Sequence, residues 1–273
     1  MNRITEQAFA KINLTLGVRA KRADGYHELD MLMQTVSLAD TVTVQRAADV
    51  TVTASGMLLP YNNTLRKAAE LYRSYTGHGA LIHVVKRIPS EAGLGGGSAD
   101  AGAVLRALDT LYGEVDSGTL KDIARKVGAD VPFCLKGGLC RAEGIGEKLT
   151  PLRPMPLHLV IAKPDRGVST GALFGALTLP RKLPDTEKAM TALARGDLDT
   201  LSETLYNALE EPAEALVPEI GAIRERLLSL GAAGARMTGS GSAVFGLFRS
   251  QEEAEAAAEK MADVPFVCTA ESV

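Results

Sequence analysis

The sequence predicts an α+β protein of two domains, and three observations carry that prediction. Strand-like alternation and amphipathic helices are mixed irregularly in the first half, unlike the regular alternation of a parallel α/β protein. The second half is predicted as mainly helical, closing with a hairpin, a helix and a final strand. Between them stand Pro151, Pro154 and Pro156, where we place the boundary between domains of residues 1–152 and 153–273.

The elements of the first half follow from local patterns. Residues 41–45 and 50–53 alternate with period two and are predicted to pair around a turn. Asn62 or Asn63 can cap a helix that runs to Tyr75 and is stopped by Gly77. The remaining predictions are a strand over 81–85, helices over 98–112 and 119–127, and a strand over 139–142.

The second half is predicted to begin with a strand over 157–162. Its hydrophobic periodicity predicts helices over 187–195, 198–209 and 213–230. A glycine-containing turn between two apolar runs predicts a hairpin over 236–248, followed by a helix over 251–261.

Composition narrows the class of protein. Hydrophobic residues make up 46% and charged residues 23% of the 273, as in globular proteins, and a net charge of −3 argues against a nucleic-acid partner. The 3 cysteines are odd in number and lack CxxC spacing, which argues against a disulfide framework or a zinc site. Cys134 and Cys140 stand in apolar segments and are predicted to be packed thiols, not nucleophiles. The N-terminus has no long apolar run, so we expect a cytoplasmic protein without a membrane partner.

The glycine-rich loop at 93–98 is the clearest candidate site. Glycine tolerates positive φ, and free N–H groups at a helix N-terminus attract anions. A Walker A loop would need Lys before Ser98, and a dinucleotide fingerprint starting at Gly93 would need glycine at position 98. A flexible linker is less favoured because an apolar strand and an amphipathic helix flank the loop. We therefore predict a phosphate-binding loop.

Other segments are ambiguous when taken singly. Alone, residues 239–241 fit a plain hairpin turn better, and beside a separate phosphate loop a second backbone cradle becomes about as favoured as a plain turn. Lys11 and Asn13 fit a solvated strand face as well as a site. Asp130 could be a turn aspartate, and His27 an ordinary core or surface histidine.

Together these segments resemble the GHMP kinase superfamily. They occur in that family's order and cover nearly the whole chain: 10–14, 24–27, 93–98, 128–132 and 239–241. The resemblance implies a two-domain GHMP kinase fold, with an N-terminal domain like domain 2 of ribosomal protein S5 and a ferredoxin-like C-terminal domain. Within the superfamily, the chain is most similar to the kinases of the non-mevalonate isoprenoid route.

The resemblance also implies a reaction and its residues. ATP, with Mg²⁺ bridging its phosphates, would phosphorylate the 2-hydroxyl of 4-diphosphocytidyl-2-C-methyl-D-erythritol, and no metal-ligating residue is assigned. Lys11 and Asp130 would be the catalytic pair. ATP would be bound by Asn63, Lys86, Gly93, Gly95, Gly96, Gly97 and Ser98. The substrate would be bound by Asn13, Tyr26, His27, Phe174, Gly239, Ser240 and Gly241.

Two alternatives stay open. Another GHMP kinase, acting on mevalonate, homoserine or a sugar, is disfavoured by the Tyr26-His27 pair, since those acceptors carry no base to stack. A non-catalytic ligand sensor on the same scaffold is disfavoured because Lys11 and Asp130 are both present. Glu91 and Ala99 stand where the superfamily more often has a small residue and a second serine.

Overall fold

The computed structural model describes residues 2–179 and 181–273, and its elements confirm the α+β class. The strands are β1 Arg3–Lys21, β2 His27–Ala47, β3 Thr51–Ser55, β4 Gly79–Val85, β5 Leu139–Gly144, β6 Lys148–Leu152, β7 His158–Lys163, β8 Tyr206–Asn207, β9 Gly234–Met237, β10 Val244–Phe248 and β11 Phe266–Glu271. The helices are α1 Thr64–Thr76, α2 Gly96–Tyr112, α3 Ser117–Val127, α4 Val131–Lys136, α5 Thr170–Ala176, α6 Thr186–Arg195, α7 Leu198–Thr204, α8 Glu210–Leu216, α9 Glu219–Ser229 and α10 Gln251–Glu259.

The chain forms two compact units that interleave along the sequence. The first contains the chain up to Lys11, Leu38–Ile88 and Gly95–Gly137. The second contains Ile12–Ser37, Pro89–Leu94 and Gly138–Val273. The long strands β1 and β2 therefore contribute residues to both units. The domain boundary between residues 152 and 153 stays a prediction.

In the first unit, β4 lies between β2 and β3. It pairs antiparallel with β2, where Thr41 faces Val85, and parallel with β3, where Thr51 faces Leu81. The predicted pairing of 41–45 with 50–53 is therefore wrong. Period-two alternation identifies a strand but not its partner, and the β3-α1-β4 crossover brings a more distant strand between them.

The first unit's helices begin and end at capping residues. The Asn63 side chain accepts a hydrogen bond from the Arg66 N–H at the start of α1, which ends at Gly77 with φ 77°. Helix α2 begins at Gly96, two residues before the predicted start, because Gly95 takes the N-cap position with φ 69°. The helix packs against α1 and α4.

The second unit contains the antiparallel sheet β11-β7-β10-β9. The predicted hairpin is confirmed as β9 and β10, with Met237 facing Val244. The predicted helix over 198–209 is too long, since β8 starts at Tyr206 and pairs with β1 at Thr15. The predicted single helix over 213–230 is wrong, because the chain forms two helices there, α8 and α9, on either side of Pro218. A proline disfavours helical backbone at the residue before it, so α8 ends ahead of Pro218.

No helix in the described ranges is both long enough and apolar enough to cross a membrane.

Candidate active site

Lys11 and Asp130 form an ion pair in the first unit. Lys11 lies on β1 and is buried, and its Nζ is 3.7 Å from Asp130 Oδ2. Asp130 is the N-cap residue of α4, and its side chain is 33% exposed. The carboxylate is thus open to an acceptor molecule while its cation is held inside the fold. This arrangement suits a base with an electrostatic partner.

The first turn of α2 forms the predicted phosphate loop. Its first intrahelical hydrogen bond runs from the Ala99 N–H to the Gly95 carbonyl at 2.8 Å. The N–H groups of Gly96, Gly97 and Ser98 precede that bond, and such groups have no acceptor within a helix. With the helix dipole, they provide a binding site for an anion.

The glycines allow this turn to pack tightly. A Cβ at Gly95 would lie 3.0 Å from Lys11 Cγ. A Cβ at Gly96 would lie 3.0 Å from Ile88 Cγ2, and one at Gly97 would lie 3.1 Å from Thr64 Oγ1. The loop therefore lies directly against Lys11, so the predicted catalytic lysine and the predicted phosphate loop are neighbours in the first unit.

Lys86 belongs to a buried charge cluster near the same loop. Its Nζ binds Asp40 and lies 2.7 Å from Asp100 Oδ2, and all three side chains are buried. Burial acts to lower the pKa of Lys86. The nearby carboxylates of Asp100 and Asp40 act more strongly in the opposite direction, so the pKa of Lys86 is raised. Burial raises the pKa of Asp100 to about 7, although Lys86 acts in the opposite direction. A Cβ at Gly96 would lie 3.6 Å from Lys86 Nζ.

The two predicted nucleotide-side residues outside the loop thus have contacts within the protein. Lys86 binds the carboxylates of Asp40 and Asp100. The Asn63 amide accepts from the Arg66 N–H at 2.9 Å and donates to the Pro60 carbonyl at 2.8 Å. Their contact with ATP stays a prediction.

The predicted base-binding residues lie in the second unit. The rings of His27 and Phe174 have centroids 4.9 Å apart and are tilted by 31°. Burial, with a smaller effect of Lys21, lowers the pKa of His27, so its imidazole is neutral at pH 7. Tyr26 is 58% exposed beside it in sequence. A neutral imidazole can both donate and accept hydrogen bonds, as reading the edge of a base requires.

The turn between β9 and β10 meets the start of the glycine-rich segment within the second unit. Thr238 Oγ1 accepts from the Asn13 N–H at 3.0 Å and donates to the Gly93 carbonyl at 3.4 Å. A Cβ at Gly93, where φ is 70°, would collide with the Thr238 carbonyl. Ser240 Oγ lies 2.6 Å from Thr170 Oγ1 at the start of α5, the helix that carries Phe174. The second glycine loop is therefore both a hairpin turn and a contact for predicted substrate-side elements.

Comparisons with known proteins identify the family of this chain. Residues 63–138 match the GHMP kinases N terminal domain, and residues 189–265 match GHMP kinases C terminal. The 4-diphosphocytidyl-2-C-methyl-D-erythritol kinase of Caldicellulosiruptor saccharolyticus is 42% identical, over 93% of this chain and 91% of the relative. That of Acetivibrio thermocellus is 41% identical over 98% of both chains. The chain belongs to the 4-diphosphocytidyl-2-C-methyl-D-erythritol kinase family of GHMP kinases.

Solved structures agree with this family. A crystal structure of 4-(cytidine 5'-diphospho)-2C-methyl-D-erythritol kinase has a TM-score of 0.85 and 40% identity, covering 98% of this chain and 99% of that one. A homoserine kinase from Cytophaga hutchinsonii has a TM-score of 0.75 at 21% identity, covering 100% and 95%, and so shares the fold alone. The expected two-domain GHMP kinase fold is confirmed.

Sequence reasoning missed the side chains that support the second glycine loop of this GHMP kinase. Asn207 Nδ2 donates to the carbonyls of Met237 and Gly239, each at 2.8 Å. Glu210 Oε2 accepts from the Met237 N–H at 2.6 Å, and its other oxygen binds Arg224 and Arg236. Asn207 and Glu210 flank an apolar Ala-Leu pair, and both are buried. Polar residues around a buried apolar segment are the signal that could have identified them.

Proposed function

We propose that this chain transfers the γ-phosphoryl group of ATP to the 2-hydroxyl of 4-diphosphocytidyl-2-C-methyl-D-erythritol, in the non-mevalonate route to isoprenoid precursors. The observation that carries the reaction type is the Lys11–Asp130 pair, 3.7 Å apart, with Lys11 packed against Gly95 of the phosphate loop. The substrate assignment is supported by relatives named 4-diphosphocytidyl-2-C-methyl-D-erythritol kinase, which are 41% and 42% identical to this chain. We place the reaction in the cytoplasm, where ATP is supplied.

Phosphoryl transfer depends on positioning and on charge stabilisation more than on covalent chemistry. In this proposal Asp130 accepts the proton of the acceptor hydroxyl as that oxygen attacks the γ-phosphorus, and the bond from the γ-phosphorus to the bridging oxygen breaks to release ADP. Lys11 offsets the charge of Asp130 and the charge that develops on the transferred group. The buried position of Lys11 strengthens both effects, because a less polar surrounding screens charge less than water does.

ATP is proposed to bind with its phosphates at the N–H groups of the α2 N-terminus. Backbone N–H groups, the Lys11 ammonium and the Ser98 hydroxyl are donors that fit phosphate oxygens. Mg²⁺ would neutralise charge on the β- and γ-phosphate oxygens, and Ser98 offers a hydroxyl to the ion or to a phosphate. Among the described residues, no group of three or more His, Cys, Asp or Glu could hold a metal ion.

The cytidine end is proposed to bind at the second unit's aromatic residues. Phe174 and Tyr26 would stack on the base, and the neutral His27 would hydrogen-bond its polar edge. Asn13 and the 239–241 turn would contact the rest of the acceptor, supported by Thr238.

The first test is ADP release by the purified protein with ATP, Mg²⁺ and 4-diphosphocytidyl-2-C-methyl-D-erythritol. Mevalonate, homoserine and galactose serve as parallel acceptors. We expect turnover with the cytidine-bearing acceptor alone. Turnover with another acceptor instead would overturn the substrate assignment, and ATP binding without any transfer would favour a ligand sensor.

Asp130→Asn tests the catalytic pair. We expect kcat to fall by about 10²–10⁴-fold, because an amide cannot take the hydroxyl proton. Titration calorimetry should give an ATP affinity close to that of the wild type, since the phosphate loop is unchanged. A folded variant that keeps its kcat, or that no longer binds ATP, would contradict the role of Asp130.

A further inference from the structure

Arg106, on α2, joins β1, the strand that carries Lys11, to α4, the helix that follows Asp130. Its Nε lies 3.0 Å from Glu6 Oε2, and its Nη2 donates to the Gln7 carbonyl at 3.0 Å. Its Nη1 donates to the Cys134 carbonyl at 2.8 Å. Glu6 and Gln7 precede Lys11 on β1, and Cys134 lies in α4. One guanidinium therefore links both elements of the catalytic pair, within the first unit.

Helix α2 also packs directly against the backbone of α4. Gly102 lies one helical turn before Arg106, and a Cβ there would be 2.9 Å from the carbonyl carbon and oxygen of Cys134. No side chain larger than the hydrogen of Gly102 fits at this position unless one of the two helices moves. At its start, α2 packs against Lys11 through Gly95. The helix whose first turn forms the phosphate loop thus contacts both Lys11 and α4.

Helix α4 depends on such contacts for its orientation. It has only 6 residues, Val131–Lys136, and a helix of that length has little stability of its own. Asp130 precedes it, and the Cys134 N–H bonds to the Asp130 carbonyl at 3.0 Å. A movement of Cys134 would therefore move Asp130. Misplacing a reacting group by about 1 Å can cost about 10²-fold in rate.

We propose that Arg106 is a positioning residue for phosphoryl transfer, which sets the distance between Lys11 and Asp130 by joining β1 to α4. This inference rests on the proposed function, because it concerns the same pair. It assigns Arg106 no contact with substrate. Its contribution is to keep Asp130 and Lys11 aligned while the hydroxyl proton moves.

Arg106→Met tests the proposal, since methionine keeps an apolar stem and loses every hydrogen bond. We expect kcat to fall by about tenfold or more, with KM for ATP and for the acceptor within about twofold of the wild type. Arg106→Lys can restore one of the three bonds and should give an intermediate kcat. A purely stabilising arginine would lower the melting temperature without this split between kcat and KM.

Arg46→Met is the matched control. Arg46 also binds the backbone of α2, donating to the Leu111 carbonyl, and it stacks over the Tyr112 ring at 4.8 Å. It contacts the far end of the helix and joins neither β1 nor α4 through these bonds. We expect a similar loss of thermal stability and an unchanged kcat.

Two outcomes would overturn the inference. One is a folded Arg106→Met whose kcat matches that of Arg46→Met. The other is a crystal structure of Arg106→Met in which Lys11 Nζ and Asp130 Oδ2 keep their 3.7 Å separation. If Arg106→Met does not fold, a wild-type kcat in Arg106→Lys overturns it. A wild-type protein without turnover would refute the proposed function, and the crystal structure would still decide the role of Arg106.

Discussion

Glu91 holds a left-handed backbone conformation, with φ 50°. For a residue with a Cβ this costs about 1–2 kcal/mol, whereas glycine adopts it freely. The Glu91 carbonyl accepts the Ser242 N–H at 3.0 Å, and its side chain lies against Gly167. Tertiary contacts in the second unit therefore hold this conformation in place.

We expect Glu91→Gly to be more stable than Glu91→Ala by about 0.5–1 kcal/mol. Both variants remove the carboxylate, so the comparison isolates the backbone strain. Glycine relieves the strain but loses more entropy on folding, which reduces the gain. Urea denaturation of the two variants gives the difference. Equal stability, or a more stable alanine variant, would show that residue 91 is not strained.

The elements around the second glycine loop depend on Asn207. Its amide donates to two carbonyls, at Met237 and Gly239, on either side of Thr238. Asn207→Asp keeps the size of the side chain, but places a carboxylate against both carbonyl oxygens. We expect a loss of about 2–4 kcal/mol in unfolding free energy, measured by urea denaturation. We also expect a higher KM for the acceptor, because Thr238 binds the Asn13 N–H.

Asn63→Asp provides the matched control for that change. The Asn63 side chain caps α1 by accepting from the Arg66 N–H, and aspartate caps helices equally well. Asn63 also donates to the Pro60 carbonyl, but that bond is exposed, so water screens the repulsion that is unscreened at the buried Asn207. We expect its unfolding free energy to change by less than about 0.5 kcal/mol. If both variants lose the same stability, the supporting role of Asn207 is wrong.

Local patterns predicted those elements whose ends are set by nearby residues. Asn63 and Gly77 delimit α1, and the apolar stripe of α2 is unambiguous. The pairing of β4 between β2 and β3 depends on contacts distant in sequence, which no local pattern encodes. Pro218 is the local signal for the break between α8 and α9, because a proline disfavours helical backbone at the residue before it.

The candidate site likewise contains residues that the sequence predicts and residues whose roles depend on contacts distant in sequence. Lys11 and Asp130 were predicted through a family resemblance, since singly each had an ordinary explanation. Arg106 acts through backbone carbonyls, which carry no sequence signature, so its role appears only in the fold. The polar-apolar pattern at Asn207 marks the residue, but not the two carbonyls to which it donates. The contact of Thr238 with Gly93 likewise joins positions far apart in the chain.

At the scale of the whole molecule, the cluster of Asp40, Lys86 and Asp100 makes stability depend on pH. Two buried carboxylates share one ammonium, and Asp100 Oδ1 is buried without a hydrogen-bond partner among the described residues. The pKa of Asp100 is raised from 3.8 to about 7, chiefly by burial. The folded state therefore binds a proton at pH values where the unfolded chain has released it.

The proton bound by Asp100 in the folded state determines whether stability rises or falls with pH. Between pH 4 and 7 the folded protein holds more protons at Asp100 than the unfolded chain, so this group stabilises the fold less as pH rises. The slope reaches at most about 1.4 kcal/mol per pH unit. His27 acts oppositely, because its lowered pKa removes stability as pH falls below 6.5. Lys86, with a raised pKa, contributes a constant amount in this range.

Asp100→Asn isolates the contribution of Asp100 to the pH dependence of the unfolding free energy. It keeps an oxygen for Lys86 and cannot ionise, so its unfolding free energy should improve relative to the wild type from about pH 5 to about pH 8. Urea denaturation across that range gives the difference curve. Asp109→Asn, on the same helix and outside the cluster, corrects for the loss of one charge from α2. If the curves for Asp100→Asn and the wild type run parallel, Asp100 is ionised throughout the range, and the cluster carries a net negative charge near the phosphate loop.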